Sequence, residues 1–374
     1  MKLDLGLTES EEMLRKTALD FMRRDAPKDV VQTLQNTETG CTDELWKSMA
    51  DMGWTGIIVP EEYDGSGNPL TSAAVLLEAL GRGPLPGPLF SSSILGVSVV
   101  VEAGSDEQKK RVLPAVTRGK QILALALTEP DYIWYGAGLQ TTAEARGGGY
   151  IIDGTKLYVM DAQAATTIIV AARTGEGIGL FLVDSKSAGL TVRPLPGYLA
   201  GQAFEVKLDS VEVPKSARLG DGGDSWLDLE RAMMRAAPVL CAYKVGGCQA
   251  VFDMTVEYSR TRVQFGQAIG RFQRVQDMII EMVNCVDAAR WTTYECLWKL
   301  DTERPAADSV HMAKAVTSQA YWDVCTLAHR VFSGVSYSKE HPASFHTRAS
   351  RALYHYLGDP AFHRRELARL VTGV

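Results

Sequence analysis

The stretch of this sequence richest in side chains that can do chemistry runs Tyr258-Ser-Arg-Thr-Arg262-Val-Gln264-Phe265-Gly266-Gln-Ala-Ile-Gly270-Arg-Phe272-Gln273-Arg-Val-Gln276. Arg262 carries a planar guanidinium, whose fork grips phosphate oxygens at two points. Taken alone, Arg262 also reads as a solvated arginine at a helix end. Other chemistries fail on spacing. There is no G-x-x-x-x-G-K-S/T phosphate loop and no G-x-S-x-G nucleophile elbow. Gly175, Gly177 and Gly179 are misspaced for a dinucleotide loop and read as a hairpin turn.

The six histidines are His311, His329, His341, His346, His355 and His363. A di-iron helical bundle needs paired E-x-x-H helices, and the nearest match is a single Asp308-x-x-His311, so no metal site is expected. The six cysteines, Cys41, Cys241, Cys248, Cys285, Cys296 and Cys325, form no C-x-x-C pair. Five lie in helix-like stretches and read as small buried apolar residues, a scatter that suits a reducing compartment.

These residues need elements to position them. Thr8 and Glu11 form a T-x-x-E capping box ahead of an amphipathic run through Phe21 and Met22. Leu45, Met49 and Met52 mark a second helix face closed by Gly53. Thr71 to Leu80, Ser91 to Glu102 and Glu107 to Val116 continue the helical texture. Near residue 121 the period changes to two. Short β-rich runs follow at Ile122–Leu127, Leu139–Ala143, Tyr150–Asp153, Thr166–Ala171, Gly179–Val183, Leu190–Val192 and Phe204–Val211. Turn-formers separate them, as in an antiparallel all-β domain. From about Ser225 long helices return. Phe272, Val275, Ile279, Met282, Val286 and Ala289 alternate spacings of three and four, the pattern of a bundle helix. The expected domains are helical over 1–120, β over 121–224 and helical over 225–374.

Composition sets the remaining bounds. Of 374 residues, 46 % are hydrophobic and 22 % charged, enough for a large core. A net charge of −6 disfavours a nucleic-acid binder, while leaving room for a local basic patch toward an anionic cofactor. The opening residues are too acidic and too briefly apolar for a secretory signal. The most apolar stretch, Ile94 to Val101, falls well short of the roughly 18 residues a membrane span needs. We expect a cytoplasmic protein without a membrane span.

The Arg262 run resembles the acyl-CoA dehydrogenase signature: R-x-Q-F-G, then I-G, then F-Q-x-x-Q. Leu127-Thr128-Glu129-Pro130 resembles the family's L-T-E-P at the head of its β domain. Tyr150-Ile-Ile-Asp-Gly154-Thr-Lys156 resembles its Y-x-I/L-N-G-x-K. The resemblance spans essentially the whole chain and implies an α+β multi-domain fold, with helical, antiparallel β and four-helix-bundle-like domains in that order. It implies a flavoprotein oxidoreductase that binds FAD and acts on acyl-CoA thioesters. Arg262 then falls where the family holds the FAD pyrophosphate, with Gln264 and Phe265 beside it. Phe272 and Gln273 fall on the adenosine half. These family residues reach across a subunit interface, which implies an oligomer. Thr128, Tyr158, Met160, Arg330 and Gly334 occupy further cofactor-contact positions.

The sequence also departs from the family. After T-E-P the family has G-x-G-S-D, where this chain has Asp131-Tyr132-Ile133-Trp134-Tyr135, with Trp134 at the serine position. Such bulk should narrow or fill the cleft. The family's K-x-W-I-T-N becomes Lys156-Leu157-Tyr158-Val159-Met160-Asp161, so Tyr158 replaces the stacking Trp and Met160 the hydroxyl. The family's Q-x-x-G-G-x-G-F/Y becomes Arg330-Val-Phe-Ser333-Gly334-Val-Ser336-Tyr337.

Family chemistry removes the α-proton of an acyl thioester with a carboxylate while the β-hydrogen leaves as hydride to flavin. The two family positions for that base correspond to Leu357 and Ala236. Neither takes a proton. Asp359 is a displaced candidate, or else the N-cap of the last helix. The ending Tyr356-Leu357-Gly358-Asp359-Pro360-Ala-Phe-His363-Arg364 resembles L-F-G-D-x-x-Y/F-H-R. That pattern belongs to a branch holding partner subunits of hetero-oligomeric members, some acting on steroid side-chain rather than fatty acyl thioesters.

The resulting expectation is a subunit that lacks the base and pairs with a homologous catalytic subunit, with an electron-transfer protein as acceptor. The alternatives are a catalytic homo-oligomer using Asp359 and a non-enzymatic scaffold that binds no flavin.

Overall fold

The computed structural model describes residues 6–195 and 202–373. The chain falls into a helical unit (residues 1–32, 70–85 and 237–374) and a sheet unit (33–69 and 86–236). In chain order come α1 (Glu9–Arg24), α2 (Lys28–Leu34), α3 (Asp43–Asp51), α4 (Leu70–Gly81), α5 (Val97–Ala103) and α6 (Asp106–Thr117). The strands follow: β1 (Leu123–Ala126), β2 (Thr142–Arg146), β3 (Gly149–Met160), β4 (Thr167–Thr174), β5 (Gly177–Asp184), β6 (Leu190–Pro194) and β7 (Ala203–Pro214). The long α7 (Trp226–Thr261) leads to a small hairpin, β8 (Val263–Gln264) and β9 (Gln267–Ala268). The helices α8 (Gln273–Asp301), α9 (Ala307–Phe332), α10 (Pro342–Ala352) and α11 (Pro360–Thr372) complete the chain.

In the helical unit, α1 starts at the expected capping box. Glu11 N donates to Thr8 Oγ1 at 3.3 Å, and Thr8 N donates to Glu11 Oε2 at 2.8 Å. The core joins Val245, Cys248 and Val251 of α7, Met278, Met282, Val286 and Ala289 of α8, and Tyr321, Val324, Cys325 and Ala328 of α9. Small residues bring α4 close to α7. A Cβ on Gly246 would sit 1.9 Å from the Glu78 carbonyl oxygen, and one on Gly81 would sit 2.0 Å from that of Tyr243. Asp301, at the end of α8, caps α4 by accepting from the Leu70 and Thr71 amides at 2.9 Å each.

In the sheet unit the strand order is β1-β4-β2-β3-β7-β6, with β5 pairing β4. The ladders β2–β3, β3–β7, β4–β5 and β6–β7 are antiparallel. The strand β1 joins β4 in parallel, and all four of its residues are buried, as parallel strands usually are. The run expected to end at Asp153 continues as β3 to Met160, bending at irregularities between Ile152 and Gly154 and between Lys156 and Val159. The single helix expected over Ser91–Glu102 instead opens with a π-helical stretch, Ser91–Gly96, before α5. Ser91 and Ser92 hydroxyls there bond Asp161 and the Leu123 amide, and such side-chain bonds compete with regular helix pairing.

Candidate functional site

In the helical unit, Arg262 ends the climb of α7, its amide donating to Tyr258 O at 2.8 Å. The chain then turns at Phe265 and Gly266, both at positive φ (52° and 78°), the two-residue geometry that matches strand twist. Gln264 pairs with Gln267 across the turn. Phe265 stands 91 % exposed. Its ring meets that of Phe272 edge to face, with centroids 6.1 Å apart. Phe272 precedes α8, and Gln273 begins it. Arg262, Gln264 and Gln273 are exposed. The structure thus gathers the expected residues Arg262, Gln264, Phe265, Phe272 and Gln273 at and just after a hairpin. Further along, Arg330 is exposed near the end of α9, and Gly334 lies in open space, where a Cβ would meet nothing within 4 Å.

In the sheet unit, Thr128 is half-buried after β1, and its carbonyl accepts from Leu157 N at 2.8 Å. Tyr158 sits at the β3 irregularity with φ 55° and 54 % exposure. Tyr132, also at positive φ, lies edge to face with Tyr158 (6.3 Å) and with Trp134 (5.6 Å). The aromatic replacements at the T-E-P loop therefore pack onto the residue that replaces the family's stacking Trp. Met160 closes β3 opposite Ala203.

The sequence reading missed what ties these motifs together. Lys156 Nζ and Glu129 Oε1 form a buried ion pair at 2.7 Å, and Glu129 also accepts from the Thr141 amide at 2.9 Å. Burial pushes the Glu129 carboxyl upward, but Lys156 and these hydrogen bonds outweigh it and hold the group below its ordinary value. The Glu of T-E-P and the Lys of the next motif thus brace the loop against β3. Beyond Met160, buried Asp161 reaches Ser91 Oγ at 2.5 Å, and burial raises its carboxyl to about 7 against that hydrogen bond.

Both residues expected at the family's base positions are buried and apolar. Ala236, on α7, is completely buried, and Leu357 is buried at φ 58°. Asp359 caps α11, its Oδ1 accepting from Phe362 N at 2.7 Å. Glu230, six residues before Ala236, accepts from Trp226 Nε1 at 2.6 Å along α7. Among the described residues no group of three His, Cys, Asp or Glu side chains is placed to hold a metal ion. No described helix is long and apolar enough to cross a membrane.

Three family profiles match nearly end to end: acyl-CoA dehydrogenase N-terminal domain over residues 8–120, middle domain over 124–211 and C-terminal domain over 224–372. The chain belongs to the acyl-CoA dehydrogenase family, whose cofactor is FAD. It is 29 % identical over 350 residues to a probable acyl-CoA dehydrogenase, YngJ, of Bacillus subtilis (strain 168), covering 91 % of this chain and 92 % of that one. It is 27 % identical to the caffeyl-CoA reductase–Etf complex subunit CarC of Acetobacterium woodii, covering 94 % and 95 %. The butyryl-CoA dehydrogenase structure from Megasphaera elsdenii superposes with a TM-score of 0.91 at 25 % identity, covering 99 % of this chain and all of that one.

Proposed function

We propose that this chain is an FAD-binding subunit of an acyl-CoA dehydrogenase and that the base for α-proton removal comes from a homologous catalytic subunit. The observation that carries this reading is the pair of apolar side chains, Leu357 and Ala236, at both base positions. The nearest carboxylate in sequence, Asp359, already serves as a helix cap.

The residues present fit the nucleotide half of FAD. Arg262 is exposed, makes no side-chain ion pair or hydrogen bond among the described residues, and is available to a diphosphate. Phe265, almost wholly exposed on a tight turn, suits burial against a neighbouring subunit. In this reading Arg262 grips the pyrophosphate of the neighbour's FAD. Gln264, Phe265, Phe272 and Gln273 line its adenosine side, and Arg330 and Gly334 approach the phosphates. On the sheet unit Thr128, Tyr158 and Met160 face the ring system, with Tyr158 as the stacking surface and backbone groups replacing the hydroxyl that Met160 lacks.

FAD supplies hydride acceptance at the β-carbon. This chain's residues orient the cofactor and leave proton removal to another polypeptide. A separate electron-transfer protein collects the electrons, as the Etf partner named for the Acetobacterium relative suggests. The same proposal includes domain boundaries near residues 120 and 224 and, from the six free cysteines, a reducing cytoplasmic setting.

The test is co-expression with a family member that keeps a Glu at either base position. A yellow complex that dehydrogenates acyl-CoA supports the reading. A colourless complex, or turnover by this chain without a partner, overturns it.

A further inference from the structure

Two lysines lie where lysines are rarely found. Lys244 of α7 and Lys314 of α9 are both fully buried. Their Nζ atoms converge on Ser318 Oγ, at 2.8 and 3.3 Å. Among the described residues no carboxylate bonds either amine. Lys314 Nζ instead donates to the carbonyl of Gly358 at 2.7 Å. One residue earlier, the carbonyl of Leu357 accepts from His363 Nε2 at 2.8 Å. That bond fixes the tautomer: Nε2 of His363 carries the proton, and its Nδ1 accepts from Nδ1–H of His311 at 2.9 Å.

The clamped backbone is unusual. Leu357 sits at φ 58° and Gly358 at φ 89°. A leucine in this region is strained and persists only where its surroundings over-determine it. Gly358 is required twice over, by its φ and because a Cβ there would lie 2.7 Å from His363 Nε2. Burying two cations together also costs stability that packing alone does not repay. Burial lowers Lys244 to about 8, and burial together with the Lys244 charge drives Lys314 further below its ordinary range.

We propose that Lys314 and His363 are positioning residues that hold position 357 in its left-handed conformation by fixing the carbonyls of residues 357 and 358. Lys244 shares Ser318 Oγ with Lys314 but does not bond the turn, and His311 orients the His363 ring. The proposal rests on reading 357 as the family's base position. This chain has lost the carboxylate there and kept the backbone device that would aim one.

Hydrogen exchange of the FAD-loaded oligomer tests the clamp without reference to activity. In Lys314→Met, exchange of the segment 353–363 should accelerate by on the order of tenfold, the loss expected from one hydrogen bond to a buried carbonyl. Global stability should stay level or rise, because a buried ionisable amine has gone. Lys244→Met should raise stability in the same way and leave exchange of that segment at the wild-type rate. His363→Phe should loosen the segment, and His363→Gln, which keeps a donor near the Nε2 position, should restore it.

Unchanged exchange in Lys314→Met, or equal loosening in Lys244→Met, overturns the clamp. Leu357→Glu separates this from the base reading. A gain in flavin reduction by acyl-CoA that vanishes with Lys314→Met supports both ideas, and a gain that survives Lys314→Met overturns the clamp. No gain removes residue 357 as a base position while the exchange result still decides the clamp.

Discussion

Phe265 and Leu357 both adopt positive φ, 52° and 58°, yet one side chain is 91 % exposed and the other 6 %. At the hairpin the conformation comes from the turn itself, with Gly266 beside it, and the aromatic ring touches Phe272 by its edge yet stays largely exposed. At the base turn, lysine and histidine side chains from two helices hold consecutive carbonyls. In the proposed function the hairpin meets a neighbouring subunit, and it keeps the family pattern residue for residue. The turn at Leu357 is held from inside by Lys314 and His363, and in the proposed function it keeps the backbone of the base position without the reactive side chain. Under that proposal, cofactor binding and proton transfer come apart within one helical unit.

The largest effect expected from this difference concerns the proton. In the complex, removing the partner's Glu should cost about 10²- to 10⁴-fold in kcat, the usual contribution of a positioned base. Asp359→Asn in this chain should leave kcat unchanged. A large loss from Asp359→Asn would return the base to this chain and erase the contrast.

The hairpin comes next. Arg262→Ala should weaken FAD binding by about 10- to 100-fold, or about 1.5–3 kcal/mol for a charge-assisted bond to phosphate. Fluorescence titration of the assembled oligomer measures it. An unaltered affinity would remove Arg262 from the cofactor site.

The base turn supplies a smaller, pH-dependent effect. At neutral pH Lys314→Met should stabilise the protein by about 1–2 kcal/mol, at the low end of what replacing a buried ionisable group yields, because folding no longer strips an amine of its proton. The folded state depresses Lys314, while an unfolded lysine keeps its proton to about pH 10.4. Between those values the unfolded chain binds more protons, so wild-type stability gains on the variant as pH rises. The difference between the two proteins should be largest at low pH and close toward pH 10. A difference constant across that range would show that Lys314 is not held neutral.

The smallest effect lies outside both regions. Thr8→Ala should cost about 1 kcal/mol in a urea melt, the usual value of an N-cap.

Much of this was legible in the sequence where local chemistry decides structure. Thr8 and Glu11 announced α1, and the period of two announced the strands. The run Arg262 to Gln276 marked the candidate cofactor residues, while the hairpin that carries them, with its turn at Phe265-Gly266, is a finding of the structure. What escaped depends on distant partners. The run ending at Asp153 continues as β3 because Gly154 permits a bend beside Thr141. The ion pair between Glu129 and Lys156 joins residues that sequence places in separate motifs. Lys244 and Lys314 read as surface charges by type alone. Their positions gave a signal, since Leu240, Lys244, Cys248 and Val251 share one helix face, as do Val310, Lys314, Thr317 and Tyr321. A lysine within an apolar stripe marks a buried amine in need of a partner, and here the partner is the carbonyl at Gly358.

The central claim, that this chain holds FAD and lacks its own base, is tested most directly by rapid mixing. The chain is purified alone as a homo-oligomer, loaded with FAD and mixed anaerobically with acyl-CoA thioesters. The account predicts that the visible flavin band persists, and that the complex with a Glu-bearing family member bleaches under the same conditions. Bleaching of the homo-oligomer at roughly 1–10³ per second, the ordinary range of enzyme turnover, would contradict it.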